Sequence, residues 1–303
     1  MGKIVELLGV SKHYSGQIIL DKLDLNIEKG DIYGLIGRNG SGKTTLIRLI
    51  TGLINPKEGQ IKLFGIDNKR KEINLTQNRI SAIVESPSLY LSMTGYENMV
   101  LQAKLAGKDN SKIEELLKLV RLYSIANSGK KVKDYSLGMR QRLAIAVALI
   151  NEPELLIMDE PANGLDPEGI REIRDIINTL HQKGITLLIS SHLLDELSKV
   201  ATKFGILNQG KIIKEIKPEE LENKENPLQV LSLSSIEGIE EIIQTLGIEK
   251  YKVISNNRLV IPMQDSISPI INAFEEKGIK VLSIEEKKTT IEEYFLKLIG
   301  GAR

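Results

Sequence analysis

The 303-residue sequence contains no cysteine and no tryptophan, and aromatic residues make up only 4% of it. Without cysteine the chain forms neither disulfides nor thiolate metal sites, which allows a cytoplasmic location without establishing one. Few aromatics argue against stacking platforms for single-stranded nucleic acid. Acidic and basic residues nearly balance, and the resulting net charge of +1 argues against a general nucleic-acid-binding surface.

Long hydrophobic runs are also missing. No apolar stretch approaches the roughly 18 residues that a membrane-spanning helix requires, and residues 1–6 do not begin a signal peptide. We therefore expect any membrane role to need a separate partner chain. At this length, the chain can form one large domain or two smaller ones and can readily bury a core.

What the chain does contain is a loop at residues 37–44 that matches the phosphate-binding pattern G-x-x-x-x-G-K-[ST]. An apolar strand pattern precedes it, and a helical stripe follows. In a strand–loop–helix arrangement, backbone N–H groups of the loop and the N-terminus of the helix point toward a bound anion. The alternative, a glycine-rich turn without a chemical role, fits neither flank. The predicted phosphate-binding residues are Gly37, Arg38, Asn39, Gly40, Ser41, Gly42, Lys43, Thr44 and Thr45.

Three side chains have more specific expected roles at this loop. We expect Lys43 to reach the β- and γ-phosphates of a nucleotide and the Thr44 hydroxyl to ligate Mg²⁺. Tyr14 lies in the predicted turn between two N-terminal strands. It is a candidate for stacking on an adenine ring, and the alternative is an ordinary aromatic at a strand end.

A second apolar run, residues 155–160, ends in the carboxylates of Asp159 and Glu160. A buried parallel strand that ends in acids is where α/β folds place their chemistry. The alternative is an exposed acidic strand end, which the apolar lead-in disfavours. We expect further strands at residues 79–85, ending at Glu85, and at residues 185–189, shortly before His192.

The pattern of the sequence changes near residue 220. The charged residues 219–226 are interpreted as a helix end and a linker. Beyond them the hydrophobic pattern predicts the order β-α-β-β-α-β, followed by a last helix, which is typical of a small split βαβ module. We find no catalytic constellation there. We therefore expect a domain at residues 1–220 and an accessory module at residues 221–303.

These features occur in a fixed order along the chain: the phosphate loop, Glu85, a polar break at residues 135–142, the acidic pair and His192. Over residues 3–220 the chain resembles the ATP-binding subunit of an ABC transporter. Within that family it is most similar to exporter subunits of the bacitracin-resistance and lantibiotic-immunity type. The resemblance implies an α/β fold with a P-loop ATPase core: a mixed sheet, an antiparallel β subdomain and a helical subdomain at about residues 86–150. A small α+β C-terminal module follows.

The resemblance also implies a role for each candidate residue. Asp159 would hold Mg²⁺ through a water, and Glu160 would polarise the attacking water as general base. His192 would hydrogen-bond the γ-phosphate and orient the water. Asp166 would lie at a subunit interface and help to shape the opposite site. The implied cofactors are ATP and Mg²⁺.

Residues 135–142 resemble the family's signature sequence, Leu-Ser-Gly-Gly-Gln, with departures. Leu, the first Gly and Gln are replaced by Tyr135, Leu137 and Met139. Ser136 and Gly138 remain, and the resemblance implies that they bind the γ-phosphate of ATP held by a second subunit. Hydrolysis would then require a dimer in which each chain supplies half of two sites.

Glu85 is a further departure, because the family usually has Gln at this position, in contact with Mg²⁺ and the attacking water. A carboxylate can also ligate Mg²⁺, but it adds negative charge beside the γ-phosphate. Lantibiotic-immunity subunits resemble this sequence in carrying Glu there. The alternative is neutral drift in a surface loop.

The sequence therefore predicts an ATPase that powers a membrane exporter of antimicrobial peptides or drugs. The expected partners are a separately encoded integral membrane permease and a second ATP-binding subunit, as a homodimer, at the cytoplasmic face of the membrane, without nucleic acid. The alternative is a soluble ABC ATPase that acts on nucleic acid or ribosomes. Two interpretations of residues 228–303 stay open: a dimer-stabilising appendage and a ligand-sensing regulatory module.

Overall fold

The computed structural model describes residues 2–84, 88–221, 228–255, 257–264, 266–287 and 291–300. The chain divides into two compact units, Met1–Pro218 and Glu219–Arg303. Each unit has its own hydrophobic core within the described residues.

Two sheets form the framework of the first unit. Its described strands are Lys3–Tyr14 (β1), Gln17–Glu28 (β2), Ile32–Ile36 (β3), Glu58–Leu63 (β4), Ile66–Asp67 (β5), Ile80–Ile83 (β6), Leu155–Asp159 (β7), Thr186–Ser191 (β8), Lys203–Asn208 (β9) and Lys211–Ile216 (β10). An antiparallel sheet has the order β2-β1-β4-β5, and a mixed sheet has the order β10-β9-β3-β8-β7-β6. In the mixed sheet only β10 runs antiparallel to its neighbour.

The three central strands of the mixed sheet, β3, β8 and β7, are buried along their whole length. Their near-continuous Ile and Leu content is typical of parallel strands that are covered on both faces. They are also in register, because Ser190 of β8 pairs with Asp159 of β7 on one side and with Leu35 of β3 on the other. The phosphate loop, the acidic pair and His192 consequently leave the sheet at one edge.

The described helices of the first unit are Lys43–Ile50 (α1), Gly95–Leu105 (α2), Ile113–Leu119 (α3), Tyr123–Ala126 (α4), Leu137–Ala148 (α5), Pro167–Gln182 (α6) and Leu194–Ser198 (α7), with short 3₁₀ segments at Lys71–Arg79, Val132–Asp134, Leu149–Asn151 and, at the unit boundary, Pro218–Leu221. The region between β6 and β7 is therefore mostly helical, as its pattern predicts. Helix α2 begins with a capping box, in which Thr94 Oγ1 accepts from the Glu97 amide and the Glu97 carboxylate accepts from the Thr94 amide.

Helix α5 is joined to α6 by an ion pair between a buried arginine and a half-buried glutamate. Arg142 Nη1 lies 3.1 Å from Glu172 Oε1 and also donates to the Val120 carbonyl at 3.2 Å. Burial lowers the pKa of the Arg142 guanidinium. Removing Glu172 would leave the buried charge of Arg142 without this partner, so the pair favours the contact between the two helices.

The second unit has an α+β fold with one sheet in its described residues. Its strands are Leu228–Leu233 (β11), Lys252–Ser255 (β12), Arg258–Pro262 (β13) and Val281–Lys287 (β14), and its helices are Ile239–Thr245 (α8), Ser268–Glu276 (α9) and Ile291–Gly300 (α10). The sheet is antiparallel with the order β12-β13-β11-β14, and Leu231, Leu259 and Phe274 are fully buried in its core. The predicted β-α-β-β-α-β order and last helix are present, and the predicted fold class is confirmed.

None of the helices in the described part of the chain is both long enough and apolar enough to cross a membrane.

Candidate functional site

The loop between β3 and α1 has a backbone that only glycine adopts readily at two positions. Gly40 has φ 80° and Gly42 has φ 110°, both in the left-handed region. At Gly37, a Cβ would meet the Ser41 hydroxyl and lie 2.7 Å from the Leu207 carbonyl oxygen. The first amides of α1 have no acceptor within the helix, so the loop presents donors that fit a phosphate.

A cleft of about 610 Å³ opens over this loop. Nine of the predicted site residues line it: Arg38, Asn39, Gly40, Gly42, Lys43, Thr44, Thr45, Asp159 and Glu160. Ser41, beside them in the loop, is buried, and its Oγ has no hydrogen-bond partner. Because a buried hydroxyl without a partner is costly, this atom fits a site that binds a polar group.

The Lys43 side chain is 8% exposed and extends along the loop. Its Nζ donates to the Gly37 carbonyl at 2.7 Å and lies 3.4 Å from Glu160 Oε1. The lysine therefore brings the phosphate loop and the acidic end of β7 together.

Asp159 accepts a hydrogen bond at each carboxylate oxygen. Thr44 Oγ1 donates to Oδ2 at 2.9 Å, and Ser190 Oγ donates to Oδ1. Among the described residues, no group of three or more His, Cys, Asp or Glu side chains is arranged so that it could hold a metal ion by itself. Thr44 and Asp159 instead fit Mg²⁺, which uses one or two protein carboxylates together with substrate phosphates. Glu85, the third predicted metal contact, lies outside the described residues.

Glu160 lies between Lys43 and His192. Its backbone has φ 51°, a conformation that few non-glycine residues adopt. The carboxylate Oε2 lies 2.6 Å from His192 Nδ1 and accepts from the His192 amide at 3.2 Å. A carboxylate with two fixed neighbours has a defined direction, as a general base requires.

Three predicted site residues lie at helix starts and do not line this cleft. Ser136 caps α5 and accepts from the Met139 amide at 3.2 Å. Asp166 caps α6 and accepts from the Gly169 amide at 3.0 Å. At Gly138, a Cβ would lie 3.7 Å from Leu165 Cδ2. None of the three lines the cleft, although Leu137, which lies between Ser136 and Gly138, does.

Tyr14 is the last residue of β1 and is 42% exposed. Lys12 Nζ lies 5.3 Å from its ring centroid. Tyr14 does not line the cleft, whereas Ile19 of the same hairpin does.

Four lining residues were not predicted: Ile19, Leu137, Gln141 and Asn163. Of these, Leu137 stands where the resemblance expects glycine, and this departure is a sequence signal for its position. Ser190, which bonds to Asp159, carried no motif signal.

A second groove lies where the end of α1, β6, α2 and α5 meet. Its volume is about 390 Å³. It is lined by Thr51, Leu53, Ala82, Ile83, Val84, Ser88, Leu89, Gln102, Ala144, Val147 and Ala148. The lining is largely apolar, and Leu53 is 67% exposed.

The sequence is similar to that of known transport proteins. The family described as ABC transporter matches residues 20–163. The bacitracin transport ATP-binding protein BcrA of Bacillus licheniformis is 40% identical over 99% of this chain and 99% of its own length. BcrA of Enterococcus faecalis is 36% identical over 99% of this chain and 98% of its own. The lantibiotic transport ATP-binding protein SrtF of Streptococcus pyogenes is 41% identical over 73% of this chain and 94% of its own.

Solved structures show the same fold. The structure of cbiO1 from Clostridium perfringens, part of the ABC transporter complex cbiONQ, matches with a TM-score of 0.66 and 28% identity over 73% of this chain and 90% of its own. The dimeric post-hydrolysis state of the ATP-binding cassette MJ0796, bound to ADP and Pi, matches with a TM-score of 0.62 and 27% identity over 71% of this chain and 98% of its own.

Proposed function

The chain belongs to the ATP-binding proteins of ABC transporters and is an ATPase, and from this premise we propose that it energises a membrane exporter of antimicrobial peptides or drugs. The observation that carries this proposal is the extent of the match. Similarity to two bacitracin transport proteins covers 99% of the chain and so includes the second unit. The lantibiotic relative is matched over only 73% of the chain.

In the proposed reaction, the phosphate loop binds the triphosphate. The loop amides and Lys43 contact the phosphates, because they are the nearest fixed donors around the cleft. Thr44 and Asp159 would hold Mg²⁺, which when bound neutralises charge on the phosphates. The Thr44 proton points to Asp159, so the lone pairs of Thr44 Oγ1 are free for the metal.

Glu160 acts as the general base. Water attacks the γ-phosphorus, the bond to the β–γ bridging oxygen breaks, and ADP leaves while Glu160 takes the proton of the water. His192 Nδ1 lies 2.6 Å from the carboxylate. The ring nitrogen Nε2 then remains for the γ-phosphate, and the histidine orients base and phosphate together.

A second copy of the chain completes each site in this proposal. Ser136, Gly138 and Asp166 do not line the cleft of their own chain, yet Ser136 caps a helix whose N-terminus suits an anion. A two-fold symmetric dimer brings them to the partner's nucleotide. The dimeric ADP-bound relative supports this arrangement by analogy.

The largely apolar groove beside β6 is the proposed contact for the permease. Its lining includes Ser88 and Leu89 before α2 and Gln102 within α2, and it shares β6 with the mixed sheet of the ATPase core. A bound permease segment would therefore respond to movement between the helical region and the sheet. This contact would hold the protein at the cytoplasmic face of the membrane.

No observation favours a soluble ABC ATPase that acts on nucleic acid or ribosomes. The named relatives above are transport proteins. The net charge of +1 also offers no general attraction to nucleic acid.

The test combines identification of co-purifying proteins with a measurement of resistance to antimicrobial peptides. Tagged protein is purified from native membranes in mild detergent, and co-purifying chains are identified by mass spectrometry. In parallel, growth inhibition by bacitracin and by a lantibiotic is compared between cells with the wild-type chain and with Lys43→Ala. We expect a stoichiometric multi-span protein and a loss of resistance in the variant. Recovery of ribosomal or DNA-bound partners alone, with unchanged resistance, would overturn the proposal.

A further inference from the structure

Ser190, a residue outside every recognised motif, lies at the centre of the hydrolytic site. It is fully buried near the end of β8. Its backbone pairs with Asp159 on one side and with Leu35 on the other. The strand before the phosphate loop and the strand that ends in the acidic pair therefore have Ser190 as a common neighbour.

The Ser190 hydroxyl bonds to both acidic residues at once. Its Oγ donates to Asp159 Oδ1 and accepts from the Glu160 amide at 3.0 Å. The Ser190 carbonyl accepts from the same amide at 3.1 Å. Because a hydroxyl has one proton to donate, the bond to Asp159 fixes its orientation and leaves its lone pairs to Glu160.

These bonds determine where both carboxylates point. Asp159 is held at one oxygen by Thr44 and at the other by Ser190, which defines the plane of the carboxylate. Glu160 has φ 51°, and such a conformation persists only when its surroundings impose it. The two acceptors of Ser190 supply this restraint, and the direction of the Glu160 side chain toward Lys43 and His192 follows from it.

We propose that Ser190 is a positioning residue for ATP hydrolysis, whose hydroxyl holds the metal-binding Asp159 and the base Glu160 in one fixed relation. This inference rests on the roles proposed above for those two residues. Among the described contacts, the hydroxyl touches neither the phosphate loop nor Lys43. Loss of the hydroxyl should therefore lower kcat and raise the Mg²⁺ concentration that the reaction requires, without weakening nucleotide binding.

The test compares three variants of the full-length protein. Ser190→Ala removes the hydroxyl, and Ser190→Thr keeps it. Thr186→Val is the matched control, because Thr186 is also fully buried, lies at the other end of the same strand and accepts from the Gly30 amide at 2.9 Å. For each variant, kcat, KM for ATP and the Mg²⁺ concentration for half-maximal activity are measured, with Tm as the measure of folding.

We expect Ser190→Ala to lower kcat about ten- to hundred-fold, the effect of losing a hydrogen bond to a charged group. The Mg²⁺ requirement should rise about three- to ten-fold, whereas KM for ATP should change less than about three-fold. Ser190→Thr should recover most of the turnover. Thr186→Val should lower Tm without altering the Mg²⁺ requirement.

Two results would overturn the inference: wild-type kcat and Mg²⁺ dependence in Ser190→Ala, or equal losses in Ser190→Ala and folded Ser190→Thr. A Glu160→Gln variant measured in the same series separates this failure from that of the proposed mechanism. If Glu160→Gln is inactive and Ser190→Ala is normal, only the role of Ser190 is wrong. If Glu160→Gln is fully active, the assignment of the base is wrong as well.

Discussion

Replacing Glu160 by glutamine removes one negative charge and almost no volume. The backbone bonds of residue 160 to Ser190 remain, and an amide oxygen can still accept from the His192 amide, which lies 3.2 Å from Oε2 in the wild-type chain. Lys43 keeps its bond to the Gly37 carbonyl, and Thr44 keeps its bond to Asp159. The variant therefore tests the basicity of the carboxylate separately from its shape.

The expected loss follows from what the carboxylate does. A positioned general base contributes about 10²- to 10⁴-fold, which corresponds to about 3 to 5 kcal/mol of activation free energy. The affinity for ATP should not fall with turnover. Glu160 Oε1 lies 3.4 Å from Lys43 Nζ, so removing its charge raises the positive potential where a phosphate binds. Affinity for ATP should be equal to or higher than that of the wild type.

The assay measures phosphate release, ATP affinity by calorimetry and the sedimentation of the protein with saturating ATP and Mg²⁺. Slow hydrolysis and retained binding should together trap a dimer. Glu72→Gln, at an exposed position of a 3₁₀ segment, is the control for loss of a surface carboxylate and should behave as the wild type.

Two outcomes would refute this reasoning. Turnover of Glu160→Gln within about three-fold of the wild type would show that the carboxylate is not the base. A variant that binds ATP but sediments as a monomer would contradict the proposed dimer while leaving the chemistry intact.

Further predictions concern binding, turnover and stability. Lys43→Ala should weaken ATP binding about ten- to hundred-fold, since a charge-assisted contact is lost; unchanged calorimetric affinity would contradict this. His192→Ala should lower phosphate release about ten-fold or more with near-normal ATP binding, and wild-type turnover would dismiss its role. Tyr14→Ala should weaken ATP more than inorganic triphosphate in competition assays, whereas equal losses would remove the stacking hypothesis. Gly205→Ala should lower stability by about 1–3 kcal/mol, measured in urea, because a Cβ there meets the buried Tyr33 hydroxyl; unaltered stability would show that this contact relaxes freely.

The elements that apolar runs define were predictable from the sequence. Strand β7 lies within the apolar run at residues 155–160, and α1 follows the phosphate loop where the helical stripe predicts a helix. Strand β8 was expected at residues 185–189 but continues to Ser191. Hydropathy ends the strand at the first serine, whereas the structure buries both serines because their hydroxyls have hydrogen-bond partners.

The candidate site was predictable wherever a local motif carries the chemistry. The phosphate loop and the acidic pair are contiguous segments, so their residue types and spacing were sufficient. The role of Ser190 depends on the register of β7 against β8, a pairing between distant segments that no local pattern encodes. The contact of Leu137 with the cleft likewise depends on how α5 packs beside the sheet.

The strand order of the mixed sheet also has a consequence for synthesis on the ribosome. Strand β3, which leads directly into the phosphate loop, takes its two neighbours from β8 and β9. The nascent chain therefore completes the loop sequence at Thr44, but the sheet cannot close around it until Asn208 has been made. At about 5–20 residues per second, this delay is roughly 10 to 30 seconds. The chain would thus bind ATP only once its tertiary structure is complete. Bound ATP would then stabilise that structure by mass action.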